Sequence, residues 1–322
     1  VIPLDYMLKL DKLDRAILCA LDCNSRQSLS SIGKNVRLKK ESVHYRIQRL
    51  EARKITNGYP TIISLAKMGK IHAEMFLRFH NVTVGLKNEM ISFFTSQKEI
   101  VYVASCKGGW DLLLGIIVNE VAELSAVKNR ICDKYSMYFA ASSISLTIET
   151  YFFGRKYLMG KDIHITQHID KPGSTKTDAV DNVILSCISK NARTSLLDIA
   201  KKAGISAKSA GYRIKKLQKS RIIQKYTLSL NMNSLGMSSY KMLIRLKSSQ
   251  HKKRLLEYFH RQPNTTTVRE VLSDWNLEPT FEVESSEQFY RIVEELEDMF
   301  GESIMSHSSF MTDNEYKSKY YL

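Results

Sequence analysis

This chain of 322 residues lacks most of what marks secreted, membrane-spanning or catalytic proteins. Cysteine is scarce: five residues, odd in number, scattered at positions 19, 23, 106, 132 and 187. They fit buried thiols in a reducing compartment better than a disulfide framework, so a cytoplasmic location is expected. No apolar run approaches the roughly 18 residues of a membrane span. The longest, Leu112–Val118, has the length of a strand. The opening residues show no charged-then-apolar leader pattern, and the first is Val rather than Met. Glycine-rich phosphate loops, GxSxG and HExxH are absent, so the chain reads as a non-enzyme with no cofactor. Cys19-x3-Cys23 and His164-x3-His168 each lack a second pair at metal-site spacing, and no metal is expected. Acid is also short: 33 Asp+Glu face 48 Lys+Arg, a formal net charge of +15. This balance suits a polyanionic partner, nucleic acid or an anionic membrane surface.

What the chain does contain is a long internal repeat. Residues 13–59 align without a gap to residues 180–226, 167 positions later, with 16 identities that include Tyr45-Arg46-Ile47 and Tyr212-Arg213-Ile214. A period this long means duplicated domains rather than a solenoid. After each copy come alternating strands and helices in the order β-α-β-β-α-β, the ferredoxin-like split unit. In the first half, strands are predicted at Ile71–His80, Ile100–Cys106, Trp110–Val118 and Ser142–Phe153, with helices over 85–97 and Glu120–Tyr135. In the second, strands are predicted at Tyr240–Leu246, Thr265–Leu272, Trp275–Val283 and Ile304–Met311, with helices at Gln250–Gln262 and Ser286–Phe300. The carboxylates on that last helix, Glu287, Glu294, Glu295, Glu297 and Asp298, read as a solvated face.

Each repeated unit accommodates three helices. The second and third are joined by a short turn, Arg37-Leu38-Lys39 or Gly204-Ile205-Ser206. Two helices on a three- or four-residue turn, the second turned outward, make a helix-turn-helix. At 100° per residue, Val43, Ile47 and Leu50 face inward in one third helix, and Ala210, Ile214 and Leu217 in the other. The residues expected to meet DNA are Lys39, Lys40, Glu41, Ser42, His44, Tyr45, Arg46, Gln48, Arg49 and Arg53 in the first copy. In the second they are Ser206, Lys208, Ser209, Tyr212, Arg213, Lys215, Lys216 and Lys219. Lys201 to Lys225 carries nine Lys/Arg and no acid, a composition suited to phosphates. The first helix offers mixed hydrogen-bonding groups of the kind that discriminate base edges. The first module is therefore expected to read sequence and the second to anchor.

These residues resemble the leucine-responsive/AsnC (Lrp/AsnC) family of regulators, and most of all its archaeal members with tandem copies. The resemblance rests on Leu13-Asp14, Ile17-Leu18, Asn24, Arg26, Ser28, Ile32, Arg46-Ile47, Leu50 and Gly58-Tyr59. The second copy matches at Asp181, Ile184-Leu185, Asn191, Arg193, Ile199-Ala200, Gly204, Ser206, Arg213-Ile214, Leu217 and Ile222-Ile223. Lys54 and Arg221 stand where the family has Gly after the third helix, and Lys39 replaces a Ser cap. The resemblance implies an α+β fold: two (winged) helix-turn-helix domains, each with a ferredoxin-like regulatory domain. It also implies double-stranded DNA as partner, and homo-oligomers formed through the regulatory-domain sheets. A small effector such as an amino acid is implied near Lys107, Gly108, Gly109 and Asp111; the second copy has no glycine there. The expected boundaries are 1–66 and 67–159, a linker at 160–178, then 179–236 and 237–322. Two alternatives accompany this reading. One is a siroheme-decarboxylase-like enzyme of the same fold, although Ile71–His80 holds only His72 and His80. The other is a sensor or assembly protein that does not bind DNA.

Overall fold

A computed structural model describes residues 10–158, 168–170, 173, 175–319 and 321. The first half runs α1 (Lys12–Cys23), α2 (Leu29–Val36), α3 (Lys40–Ala52), β1 (Thr56–Gly58), β2 (Thr61–Ile63), β3 (Ile71–Phe79), α4 (Val84–Ser96), β4 (Ile100–Gly108), β5 (Leu112–Val118), α5 (Val121–Tyr135) and β6 (Phe139–Phe152). A three-residue strand, β7 (His168–Asp170), lies in the segment expected to be linker and pairs with the end of β6. His164, named above for its spacing to His168, lies outside the described residues, as does the His168 side chain. The second half runs α6 (Ala179–Lys190), α7 (Leu196–Ala203), α8 (Ala207–Lys219), β8 (Ile223–Tyr226), β9 (Ser229–Leu230), α9 (Met232–Leu235), β10 (Ser238–Leu246), α10 (Lys252–Arg261), β11 (Thr265–Leu272), β12 (Leu277–Val283), α11 (Ser286–Phe300) and β13 (Ile304–Ser318).

Helices begin where the sequence supplies caps. Asp11, Ser28, Asp178, Ser195 and Ser206 each accept a bond from the N–H three residues on, satisfying donors that a helix start leaves free. α7 ends on Gly204 at φ +65°, whereas α2 ends on Arg37 at φ +57°. Lys54 and Arg221 also adopt φ +55° and +57°. The missing glycines therefore did not change the turns; side-chain-bearing residues hold the left-handed conformation, at a cost of order 1 kcal/mol each.

The four long strands of each half form a sheet, β6-β3-β5-β4 in the first and β13-β10-β12-β11 in the second. The sheets then join along both edges, β4 to β13 and β6 to β11, so eight strands close into a ring. Closure removes exposed edges. The sheet edges through which copies were expected to pair are hydrogen-bonded to one another within the chain. Strand lengths follow from this seam. β13 runs on to Ser318, beyond the expected end at Met311, because it stays paired to β4 as far as Ser318 opposite Tyr102.

Alternation puts one side of each strand outside the ring and one inside. Met75, Leu77, Leu114 and Ile116 pack outward beneath α4 and α5, and Met242, Ile244, Phe281 and Val283 beneath α10 and α11. Inside, Phe76, Leu113, Leu243, Trp275 and Phe310 form a third apolar cluster, with Phe76 edge-on to Trp275 at 5.2 Å between ring centroids.

The two helix-turn-helix units are also fused. Ile17 and Leu18 share one core with Ile184 and Leu185. β1 pairs with β9 and β2 with β8, so each wing is completed by the other half. The contacts are reciprocal: Ser25 N–H donates to the Tyr226 carbonyl (3.1 Å), and Ala192 N–H to the Tyr59 carbonyl (2.6 Å). Arg26 donates to the carbonyls of Ala192 and Thr194, and Arg193 to that of Ser25. Each guanidinium lies over the tyrosine ring of the opposite unit. These partners correspond under the 167-position repeat, so the units are related by a pseudo-two-fold axis.

Candidate nucleic-acid interface

Each third helix is anchored on one side and free on the other. Val43, Ile47 and Leu50 are buried in α3, as are Ala210, Ile214 and Leu217 in α8. Lys39, Lys40, Glu41, Ser42, His44, Tyr45, Gln48 and Arg53 are exposed, and so are Ser206, Lys208, Ser209, Tyr212, Lys215, Lys216 and Lys219. Tyr45 is 66% exposed and its counterpart Tyr212 is 70%. A large ring held in water at the same place on both helices marks a surface available for contact.

Three expected contact residues are engaged elsewhere. Arg46 donates to Asp11 (2.7 Å) and Asp14 (2.6 Å), and Arg213 to Asp178 (2.7 Å) and Asp181 (2.8 Å). Arg49 donates to Asp14 at 2.6 Å. These bonds tie each third helix to the first, and those from Asp11 and Asp14 raise Arg46 above its ordinary pKa. The spacing put Arg49 beside the outward face, and Arg46 and Arg213 were counted with it as contacts; the position of Asp14 and Asp181 on the first helices shows where all three point. The same holds for Asn24-x-Arg26 and Asn191-x-Arg193, whose arginines bridge the two units.

The turn expected to hold an effector is occupied by internal bonds. Lys107 pairs with Asp313 (2.8 Å), the Gly109 carbonyl accepts from Arg78 (3.0 Å), and the Asp111 carboxylate accepts the Phe79 N–H (2.7 Å). Asn276 does the same for Leu246 N–H in the second half (2.7 Å). Gly108 has φ +116°, and a Cβ there would lie 3.3 Å from the Ser309 carbonyl. The turn thus latches β4 to β13.

Sequence reading missed a polar chamber between the ring and the helix-turn-helix pair. Two adjoining cavities of about 530 and 360 Å³ share Tyr102, Phe152, Thr267, Arg269, Glu282 and Glu315 as lining. Deeper in the ring, Lys241 bonds Glu74 and Glu278, Arg269 bonds Glu74 (3.0 Å), and Trp275 Nε1 donates to Glu278 (2.8 Å). At the chamber's other side Arg155 joins everything: it donates to Asp22 on α1 (2.7 Å), to both oxygens of Glu282 on β12 (2.8 and 2.9 Å) and to the Leu228 carbonyl (2.9 Å). Lys225 and Thr227 complete the shell of Asp22. Burial opposes ionisation of Asp22, but Lys225 and Arg155 hold it at about 2. The only sequence signal was Glu278, Thr280 and Glu282 at alternate positions, a pattern equally expected of a strand facing water.

His72 also lines the chamber and bonds Thr147 at 2.8 Å. Burial, and then the Arg269 charge, push it down to about 4. Between pH 6.5 and 4 the unfolded chain binds a proton that the folded ring refuses. This stability is therefore complete above pH 6.5 and declines as pH falls toward 4. The expected loss is about 2 kcal/mol, reduced because one edge of the ring meets the chamber. His72→Gln, which can keep the Thr147 bond, should flatten the decline of the urea midpoint across that window. An unchanged decline would assign it to other groups.

The fold and this surface define a class: a paired helix-turn-helix protein carried on a ferredoxin-like ring. Comparison with known proteins agrees. Residues 10–51 match the AsnC-type helix-turn-helix domain, and residues 177–224 a winged helix-turn-helix DNA-binding domain. An uncharacterized HTH-type transcriptional regulator of Pyrococcus horikoshii is 31% identical over 119 residues, 36% of this chain and 79% of that protein. The transcriptional regulator LrpA of the same organism is 44% identical over 61 residues, 19% of this chain but only 43% of LrpA. The chain belongs to the Lrp/AsnC family of transcription regulators. Over 96% of its length the chain shares the fold of the siroheme decarboxylase NirDL, with a TM-score of 0.63 and 12% identity, covering 93% of that chain. The helix-turn-helix domains and the regulator relatives support DNA-binding transcription regulation as its general role.

Proposed function

We propose that this chain is a sequence-specific regulator that grips duplex DNA with both third helices at once. The observation that carries the reading is the pair of outward helices, α3 and α8, held by one core with their Tyr, Lys, Gln and His side chains in solvent. A single polypeptide then presents the two-fold geometry that suits half-sites about one helical turn apart. If each module alone binds at roughly 10⁻⁵ M, joining them at millimolar effective concentration gives about 10⁻⁷ M. Fluorescence anisotropy on duplex DNA at several salt concentrations tests this. A steep negative slope of log affinity against log salt is expected, and Lys215→Ala should weaken all sequences alike and flatten the slope by about one unit. With Arg49 held by Asp14, sequence preference should respond to Gln48→Ala instead. Salt-independent or absent binding would remove the proposal.

A small effector fits this reading best in the chamber, because a solute there touches both the ring and the Arg155 contacts to the helix-turn-helix pair. The second reading, a siroheme-decarboxylase-like enzyme, draws on the same chamber and on the whole-chain fold. Titration with an iron tetrapyrrole separates the two: a shift of its absorbance bands on addition of the protein would favour the enzyme.

A further inference from the structure

We infer that the DNA site of this chain has a direction: one half-site is read base by base, and the other, at fixed spacing, is held without base preference. The inference rests on the DNA-binding proposal above and concerns what kind of duplex fits.

The two recognition helices cannot exchange places or adjust independently. The paired wings, the reciprocal bonds of Arg26 and Arg193 and the common core fix α3 and α8 about one pseudo-two-fold axis. The Arg155 contacts to Asp22 and Glu282 and the closed ring hold that pair on a single body. In a symmetric dimer both helices would present the same side chains, and a palindrome would follow. Here the symmetry of the backbone is kept while that of the outward residues is lost.

At equivalent exposed positions α3 presents Glu41 and Gln48 where α8 presents Lys208 and Lys215. His44 of α3 corresponds to Gly211 of α8, which offers no side chain at all. Glutamine can bond adenine through two contacts, glutamate accepts from the cytosine amino group, and histidine offers a donor and an acceptor. Lysine is a mobile point charge that lacks the planar fork of arginine and meets phosphates readily; on base edges its contact is to guanine O6 and N7, a narrower repertoire than that of glutamine, glutamate and histidine together. The exposed Tyr45 and Tyr212 and the serines beside them are common to both helices. What the helices share thus positions them on the backbone, and what differs lets only α3 specify bases.

The test is selection of bound duplexes from a random pool with the full chain, followed by hydroxyl-radical footprinting on the winner. The expected result is two protected patches on one face of the duplex, with fixed bases under only one of them. Inverting that half-site alone should lower affinity about tenfold or more. Randomising the sequence under the second patch should change affinity less than about threefold, while trimming the duplex to remove it should cost about tenfold or more. Lys208→Glu/Gly211→His/Lys215→Gln should convert the selected site into an inverted repeat. A Cβ at position 211 meets only Leu196 Cδ1 at 3.5 Å, an ordinary contact, so the variant should melt like the parent. Two equally constrained inverted half-sites for the unaltered chain, or a single protected patch, would overturn the inference and leave DNA binding intact. Absence of salt-dependent binding to any duplex would instead remove the underlying functional proposal.

Discussion

Replacing Lys241 with Met is expected to destabilise the folded chain by about 3–5 kcal/mol, the effect of breaking a buried ion pair by removing one partner. Lys241 is buried inside the ring, bonded to Glu74 and at 3.4 Å to Glu278. Without it Glu74 keeps its bond to Arg269, while Glu278 keeps the Trp275 indole N–H and the more distant charge of Arg269. Burial already pushes Glu278 above the usual carboxylate range, and removing the nearby cation leaves that penalty uncompensated. The double variant Lys241→Met/Glu278→Gln should regain most of the loss, because the amide has no charge to bury. Urea midpoints of parent, single and double variants decide the matter. A single variant within about 1 kcal/mol of the parent, against the expectation for a buried pair, would refute the account. So would a double variant no better than the single.

The position of this pair says more than its strength. Lys241 is the repeat counterpart of Glu74, displaced by the same 167 positions as the helix-turn-helix copies. Two copies of the first half would bring Glu against Glu at this place, and two of the second would bring Lys against Lys. Only unlike halves close the ring with charges matched, which disfavours the alternative pairings that sheet edges invite.

Arg155→Met carries the second large expectation, again about 3–5 kcal/mol. Arg155 holds two buried carboxylates from different parts of the chain, Asp22 on α1 and Glu282 on β12, through three bonds of 2.7 to 2.9 Å. Its removal leaves Asp22 with Lys225 and Thr227, and Glu282 with the Tyr157 hydroxyl. The expected signature is a separation of unfolding into two transitions as the helix-turn-helix pair loosens from the ring. Arg155→Lys should rescue little, since an ammonium cannot present the planar fork that meets both oxygens of Glu282. A single transition at the parent temperature for Arg155→Met would show that the core packing alone fixes the two parts.

Much of this molecule was legible in the linear chain. The repeat announced duplicated units, and apolar spacing separated Val43, Ile47 and Leu50 from the outward face of α3. Period-two alternation located strands such as Ile71–Phe79, and a continuous apolar run of strand length located Leu112–Val118. These are local properties, fixed by backbone geometry and by side chains within a turn or two of each other. Alternation, however, shows that a strand has two faces without saying what lies against either. Glu74, Lys241, Glu278 and Glu282 therefore looked no different from residues facing water. Arg46, Arg49 and Arg213 share a helix with true surface residues, and nothing along the chain places Asp14 or Asp181 within reach. The extra length of β13 comes from a strand about 200 residues away.

The amino-acid order thus determined the elements, the doubling and the unlike character of the two outward helices, because each depends on neighbours close along the backbone. Only the tertiary structure decided that the halves close on one another within a single chain, that the motif arginines brace the fold, and that charge is matched across the ring. Each of those depends on contacts between residues more than 30, and often more than 120, positions apart, where sequence spacing carries no information about distance.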